Sequence, residues 1–295
     1  MSKVEVKGLV KYYGNFCAVD DVNFSFSSGK LTALCGRNGS GKTTSIRCLL
    51  GLLKADKGEF LINGQKKQLD LKKIGYLAEE RGLYVKEEIG FQLDFFARMK
   101  GMSKKQANES IDYWLECFGI SQYKKKKLES LSKGNQQKIQ MIAALVHNPD
   151  ILILDEPFSG LDPVNMQFIL DLICDLKNQG KCILVSSHQL ALIEGICEDI
   201  CIINKSKCIY SGTIIDLKSK YGEDYLFFTT KSDVSGINAE CYAPQSYRIP
   251  LKNKNEFHTK LNEIMNTSIE IETIGRKKLD LQEIFVDLVK EKVDE

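Results

Sequence analysis

Leu31–Leu50 reads LTALCGRNGSGKTTSIRCLL, and the order of its parts decides the fold. Leu31 to Cys35 is a short β-favouring run that ends at Gly36, while Ile46, Leu49 and Leu50 recur at helical spacing after Gly41. The stretch therefore predicts strand, loop, helix. Its loop matches G-x-x-x-x-G-K-[ST] at Gly36, Gly41, Lys42 and Thr43. In such a loop successive backbone N–H groups turn inward on a polyphosphate, and the helix N-terminus adds its partial positive charge. Lys42 is placed to reach the β- and γ-phosphates, and the Thr43 hydroxyl to hold magnesium.

The chain has 295 residues and is 43% hydrophobic, enough for one large core and a second small unit. Lys and Arg number 41 against 39 Asp and Glu, so the net charge of +2 does not call for nucleic acid or an acidic partner. Apolar runs are strand-sized, well short of the roughly 18 residues of a membrane span. The opening MSKVEVKGLVKYYG lacks the apolar core of a secretory signal, which places the chain in the cytoplasm. The ten cysteines lie in apolar runs, among them Cys35, Cys48, Cys182, Cys201 and Cys208, and read as reduced core thiols. Cys197 and Cys201 sit four apart with His188 upstream, but no C-x-x-C pair occurs and the Cys201 region reads as a buried strand rather than a metal site.

In chain order, Val4 to Leu9 and Val19 to Phe26 predict strands around a turn at Gly14, with Tyr12 and Tyr13 just before it. An aromatic face upstream of a phosphate loop can stack on a purine. Gly58 to Gly64 reads as a hairpin return and Lys73 to Leu77 as a strand. Helical periodicity then takes over (Phe91, Phe95, Phe96, Met99; Ile111, Trp114, Leu115, Phe118), which predicts a helical insertion into the sheet domain. The run Lys124 to Lys127 reads as a solvated face, with a lipid-headgroup contact as the sharper alternative.

Leu131 to Lys138, LSKGNQQK, predicts a helix start with Ser132 as N-cap and Gly134 in the first turn, an arrangement that offers N–H donors and a hydroxyl to an anion. Asp150 to Pro157, DILILDEP, is an apolar run ending in two acids, as a central parallel strand ends at its carboxyl edge. Asp155 suits magnesium through water, and Glu156 suits orienting or deprotonating the attacking water. SGLDP (Ser159 to Pro163) predicts a tight turn before a helix over Met166 to Leu176. The buried run Cys182 to Ser186 leads to His188, set to meet a γ-phosphate. Ile200 to Asn204 and Lys207 to Ser211 are expected to close the sheet.

Taken together, in this order over Val4 to about Lys218, the motifs resemble the ATP-binding cassette (ABC) family, the motor subunits of ABC transporters. GRNGSGKT is similar to the Walker A motif, ILILDEP to Walker B, LSKGNQQK to the signature, SGLD to the D-loop, and His188 to the switch histidine. The resemblance implies an α/β fold, a P-loop NTPase domain of ABC type over 1–218 with a helical subdomain at about 79–147. It also implies ATP and magnesium as ligands. Nucleotide contacts would come from Tyr13 on the adenine, from Gly36, Asn38, Gly39, Ser40, Gly41, Lys42, Thr43 and Thr44, and from Glu79. Ser132 and Gly134 would be presented by a second subunit in a head-to-tail dimer, and Asp162 of the D-loop would also bind nucleotide. Thr43, Asp155 and Glu79 would serve magnesium, and Glu156 and His188 the hydrolysis.

Two departures stand out. The signature usually reads LSGGQ, whereas Lys133 and Asn135 occupy its third and fifth positions here. Where the family commonly has the Q-loop glutamine, this chain has Glu79 followed by Glu80, which adds negative charge beside the phosphates. GYLAEERGLY and LSKGNQQK together resemble the bacterial sodium-, drug- and antibiotic-peptide-efflux ATPases. Such a subunit would sit at the cytoplasmic face of the membrane, docked to a separate transmembrane permease near Leu83, Tyr84 and Phe91. A soluble ABC ATPase acting on nucleic acid or ribosomes is the first competing reading, and a weakly hydrolysing regulatory subunit the second.

Residues 219–295 read as a small α+β domain similar to the accessory domain of those ATPases. Strands are predicted over Tyr225 to Thr230 and Tyr247 to Leu251. A helix carries Phe257, Leu261, Ile264 and Met265, followed by alternation at Ile269 and Ile271. In the last helix Leu281, Ile284, Phe285, Leu288 and Val289 share one face, and Asp280 and Glu283 stand at capping-box spacing.

Overall fold

A computed structural model describes residues 2–80, 82–222, 224–251, 256–267 and 269–291. The chain divides into two compact units, Met1–Gly212 and Thr213–Glu295, six residues before the boundary expected at 218. The helix that follows the split, Ile214–Tyr221, belongs to the second unit; its cap is Thr213, whose hydroxyl accepts from the Asp216 N–H.

In the first unit, β1 (Lys3–Tyr13) and β2 (Phe16–Ser27) form an antiparallel hairpin, and β3 (Leu31–Cys35) leads to α1 (Lys42–Leu49). β4 (Lys57–Ile62), β5 (Gln65–Lys66) and β6 (Ile74–Leu77) follow. Three helices come next: α2 (Ile89–Met99), α3 (Lys104–Cys117) and α4 (Lys133–Leu145). The rest is β7 (Ile151–Asp155), α5 (Pro163–Asn178), β8 (Cys182–Ser187), α6 (Leu190–Ile196), β9 (Asp199–Asn204) and β10 (Lys207–Thr213). One sheet holds all ten strands in the order β5-β4-β1-β2-β10-β9-β3-β8-β7-β6.

The pairings of β3 with β8 and β9, of β7 with β8 and of β6 with β7 are parallel, and every residue of β3, β7 and β8 is buried. A strand covered on both faces favours apolar side chains, which is why these runs are apolar up to their last residues except at Thr32 of β3. α2, α3 and α4 form the insertion between β6 and β7, and α4 packs back on β6. Capping fixes its helix starts: Ser103 and Gln106 make a reciprocal box on α3, and the Ser132 hydroxyl accepts the Asn135 N–H on α4.

β9 and β10 do not close the sheet as the sequence order suggested; they lie inside it. Lys207 pairs with Asp20 of β2 in parallel, and the Asp20 N–H donates to the Ser206 carbonyl. The antiparallel β1–β2 hairpin therefore extends the parallel core past β10 and ends in β4 and β5.

The second unit comprises α7 (Ile214–Tyr221), β11 (Asp224–Thr230), β12 (Glu240–Ala243), β13 (Ser246–Leu251), α8 (Glu256–Met265), β14 (Ile271–Lys278) and α9 (Leu281–Glu291). Its sheet order is β12-β13-β11-β14, all antiparallel. Period-two alternation sends Leu226 and Phe228 of β11 to a core shared with Ile249, Leu251 and Ile264 of α8. α9 packs with α7, and its start is capped reciprocally by Asp280 and Glu283, each bond 2.8 Å.

Candidate active site

The loop between β3 and α1 is shaped by two close approaches. A Cβ on Gly36 would collide with the Ile203 carbonyl oxygen of β9. One on Gly41, at φ 111°, would lie 2.5 Å from the Ala18 carbonyl oxygen of β2. These glycines are thus needed where the loop passes against neighbouring strand backbone. α1 has no side-chain cap and no acid in its first turn, so its first N–H groups keep their donor capacity for an anion. Lys42 is buried, and its ammonium donates to the Gly36 carbonyl at 2.8 Å.

β7 and β8 bring the remaining chemistry to that loop. Asp155 is fully buried at the end of β7, and Glu156, at φ 51°, turns out of the strand in a left-handed conformation. Glu156 Oε1 lies 3.4 Å from the Lys42 ammonium, and Oε2 lies 2.9 Å from His188 Nδ1. A lysine, a carboxylate and an imidazole are therefore in line at the sheet edge. Burial pushes the Asp155 carboxyl above the usual carboxylate range and the Glu156 charge adds to this, while the Ser186 hydroxyl donor, the nearby Thr43 hydroxyl and the Lys42 charge oppose it.

A cleft of about 320 Å³ opens over the loop, lined by Tyr13, Phe16, Ala18, Asn38, Gly39, Ser40, Gly41, Lys42, Thr43, Thr44, Glu79 and Glu156. Gly36 and Asp155 are buried, Gly36 at the foot of the loop and Asp155 at the strand end, and His188 reaches Glu156 from the end of β8. Ser132, Gly134 and Asp162 line a different place. Asp162 caps α5 by accepting the Val164 and Asn165 N–H groups at 3.0 Å, and a Cβ on Gly134 would stand 3.7 Å from Asn165 Nδ2. The signature and D-loop residues thus adjoin one another and are absent from the lining of the cleft. Lys133 is exposed.

Phe16 was missed by the sequence reading. It is the cross-strand partner of Tyr13 across the Gly14 turn, 62% exposed beside a 49% exposed tyrosine; the clue was an aromatic on each side of a two-residue turn. Ser186, which contacts both acids, carried no signal in VSSH.

The donor set fits a divalent cation held mainly by phosphate and water. Asp155 Oδ2 is buried without a hydrogen-bond partner, and the Thr43 side chain lies beside it at the cleft. Among the described residues no three His, Cys, Asp or Glu are placed to hold a metal alone. Cys197 and Cys201 are buried, and Cys201 Sγ is 3.6 Å from Cys208 Sγ. No helix among the described residues is long and apolar enough to cross a membrane.

The family model described as ABC transporter matches residues 19–159. An uncharacterised ABC transporter ATP-binding protein of Methanocaldococcus jannaschii is 46% identical over 74% of this chain and 80% of its own length. The linearmycin resistance ATP-binding protein of Bacillus subtilis is 34% identical over 80% of this chain and 76% of its own. A solved structure of the ATP-binding subunit of an ABC transporter superposes with a TM-score of 0.68 at 29% identity, covering 74% of this chain and 92% of that one.

Proposed function

Since this chain belongs to the ABC transporter family as an ATP-binding subunit, whose general activity is ATP hydrolysis, we propose that it is the motor of an exporter. Two copies, or one copy and a close paralogue, would clasp two ATP molecules head to tail. The observation that carries the reading is the convergence of Lys42 and Glu156 in one cleft, with His188 set against Glu156 and the signature residues grouped elsewhere. Ser132, Gly134 and Asp162 then complete the site only from a second subunit.

Tyr13 stacks on adenine, and the N–H groups of Asn38 to Thr44, with Lys42, hold the phosphates. Thr43, Asp155 and Glu79 are the residues that would hold magnesium, which supplies charge neutralisation at the phosphates. Glu156 orients water toward the γ-phosphorus and takes its proton, while His188 keeps the carboxylate aimed and meets the γ-phosphate. Glu79 puts a carboxylate where the family has an amide, so charge beside the phosphates sets the pace of turnover. The permease would dock at Leu83, Tyr84 and Phe91, a reading supported by the exposure of two large aromatic side chains, Tyr84 at 62% and Phe91 at 65%. Docked there, the subunit lies at the cytoplasmic face of the membrane. Export is the direction favoured by the likeness to an antibiotic-resistance protein. The C-terminal unit is assigned as the accessory domain of this motor.

The test is Glu156→Gln. The purified variant is expected to retain ATP as a closed dimer while turnover falls roughly 10³-fold, about 4 kcal/mol in barrier. An unchanged rate removes Glu156 from its role.

A further inference from the structure

Asp155 of β7 stands opposite Ser186 of β8 in the parallel ladder. Ser186 is fully buried, and its one hydroxyl serves both acids. The proton is donated to Asp155 Oδ1, and the oxygen accepts the Glu156 N–H at 3.0 Å. The Ser186 carbonyl shares that N–H at 3.2 Å. Strand register puts the serine here, because a slip of one residue would send a neighbour's side chain to the other face.

A hydroxyl has a single proton. Given to Asp155 Oδ1, it fixes the carboxylate plane and leaves Oδ2 as the oxygen without a partner. Glu156 sits at φ 51°, a region that a residue with a Cβ keeps only where its surroundings hold it. Among the described residues its N–H is held by Ser186, through hydroxyl and carbonyl.

We propose that Ser186 is the positioning residue of the hydrolytic centre, a buried hydroxyl that aims Asp155 Oδ2 at the cation and Glu156 at the attacking water. This inference rests on the roles given above to Asp155 and Glu156. Ser186 touches neither nucleotide nor metal; it acts through the two acids. Removing the hydroxyl frees the Asp155 carboxylate to rotate and weakens the restraint on Glu156, while Lys42 and the loop N–H groups still hold the phosphates.

The experiment compares the full chain with Ser186→Ala and Ser186→Cys, the latter close in volume with a weaker S–H donor. Three quantities are read: affinity for ATP in EDTA, Mn²⁺ half-saturation with ATP present followed by electron paramagnetic resonance, and kcat with KM. In the alanine variant, Mn²⁺ half-saturation is expected to rise about tenfold and kcat to fall by about 10–100-fold. ATP affinity in EDTA and KM should stay within about twofold, and the cysteine variant should lie between alanine and serine. Unchanged Mn²⁺ binding in Ser186→Ala, or a cysteine variant no better than alanine, overturns the assignment. If Ser186→Ala does not fold, the cysteine variant decides: wild-type Mn²⁺ binding overturns the assignment, and weakened binding with ATP affinity kept supports it. A wild-type chain that binds no Mn²⁺ with ATP overturns the functional reading and this inference with it.

Discussion

The two units treat a buried charge in opposite ways. In the small unit the Arg248 side chain is 6% exposed, and its guanidinium donates to Glu240 at 2.8 and 3.0 Å and to Asp287 at 3.3 Å. The cation also lies 4.9 Å from the Tyr225 ring centroid. Burial alone would lower its pKa, but the two carboxylates outweigh burial and raise it. At the end of β7 the charges are buried as deeply, yet Asp155 Oδ2 has no hydrogen bond, and Glu156 Oε1 has none either although the Lys42 ammonium stands 3.4 Å away. Saturated pairing holds an element in place; unsaturated pairing costs stability and is tolerated where a ligand completes it. The contrast supports the proposed role of the cleft as a working site and sets the Arg248 cluster as a brace between β12, β13 and α9.

The sharpest way to break this contrast is to remove the brace. Arg248→Met keeps an apolar stem but leaves Glu240 and Asp287 facing each other without a cation. Because Glu240 is half exposed, the loss is discounted to about 2 kcal/mol from the value for a fully buried pair. The single tryptophan, Trp114, lies on α3 in the first unit, so its emission follows the motor alone. A new early transition in far-UV circular dichroism that Trp114 emission does not share, with ATP turnover unchanged, is the expected result. Turnover that falls in step with the early transition would show Arg248 to be part of the working machinery.

A smaller effect tests the rim of the cleft rather than its floor. Tyr13 and Phe16 stand uncovered beside each other, and Lys11 Nζ lies 5.9 Å from the Tyr13 ring centroid. If nucleotide completes the rim as we propose it completes the floor, Tyr13→Ala should weaken ATP about tenfold, near 1.4 kcal/mol. Tyr13→Trp should bind as well as wild type in the same fluorescence titration. Equal affinity in the alanine variant would leave the exposed aromatics without a ligand-linked purpose.

Much of this contrast was written locally. The β3 and β7 runs are legible because a strand buried on both faces must stay apolar, and the acids at Asp155 and Glu156 stand out because the run ends on them. Ser132 and the Asp280–Glu283 box are legible because caps are set by neighbours three residues apart. The inner position of β9 and β10 was not, since it depends on Lys207 finding Asp20 across nearly the whole unit. β12 is a four-residue, mostly exposed edge that gives no strand signal, and the charged end of β14 (Arg276, Lys277, Lys278) hides all but its first alternation. Ser186 is one serine among many until β8 is laid beside β7.

The finest refinement comes from His147, where a buried polar atom lacks a partner outside the lining of the cleft. Its Nε2 lies 3.0 Å from the Ile74 carbonyl, which also accepts from the Lys100 ammonium at 3.0 Å, and its Nδ1 is buried without a partner. Burial first, then the Lys100 charge, pushes the ring pKa down from 6.5 to about 4, against the pull of the Ile74 carbonyl. The native ring is therefore neutral, and an unpaired neutral nitrogen costs far less than an unpaired charge. Between pH 6.5 and about 4 the unfolded chain binds a proton that the folded chain refuses. Stability supported by the neutral ring is complete above pH 6.5 and is lost as pH falls toward 4. The ring is half-buried, so partial solvent screening reduces the loss to about 1 kcal/mol. His147→Gln should flatten that part of the acid limb in urea midpoints measured from pH 7 to 4, with wild type the steeper. If wild type instead gained stability relative to His147→Gln on acidification, the ring would be taking up charge in the fold. The unsatisfied atom at His147 would then resemble those at Asp155 and Glu156, and missing partners would no longer separate working charge from structural polarity.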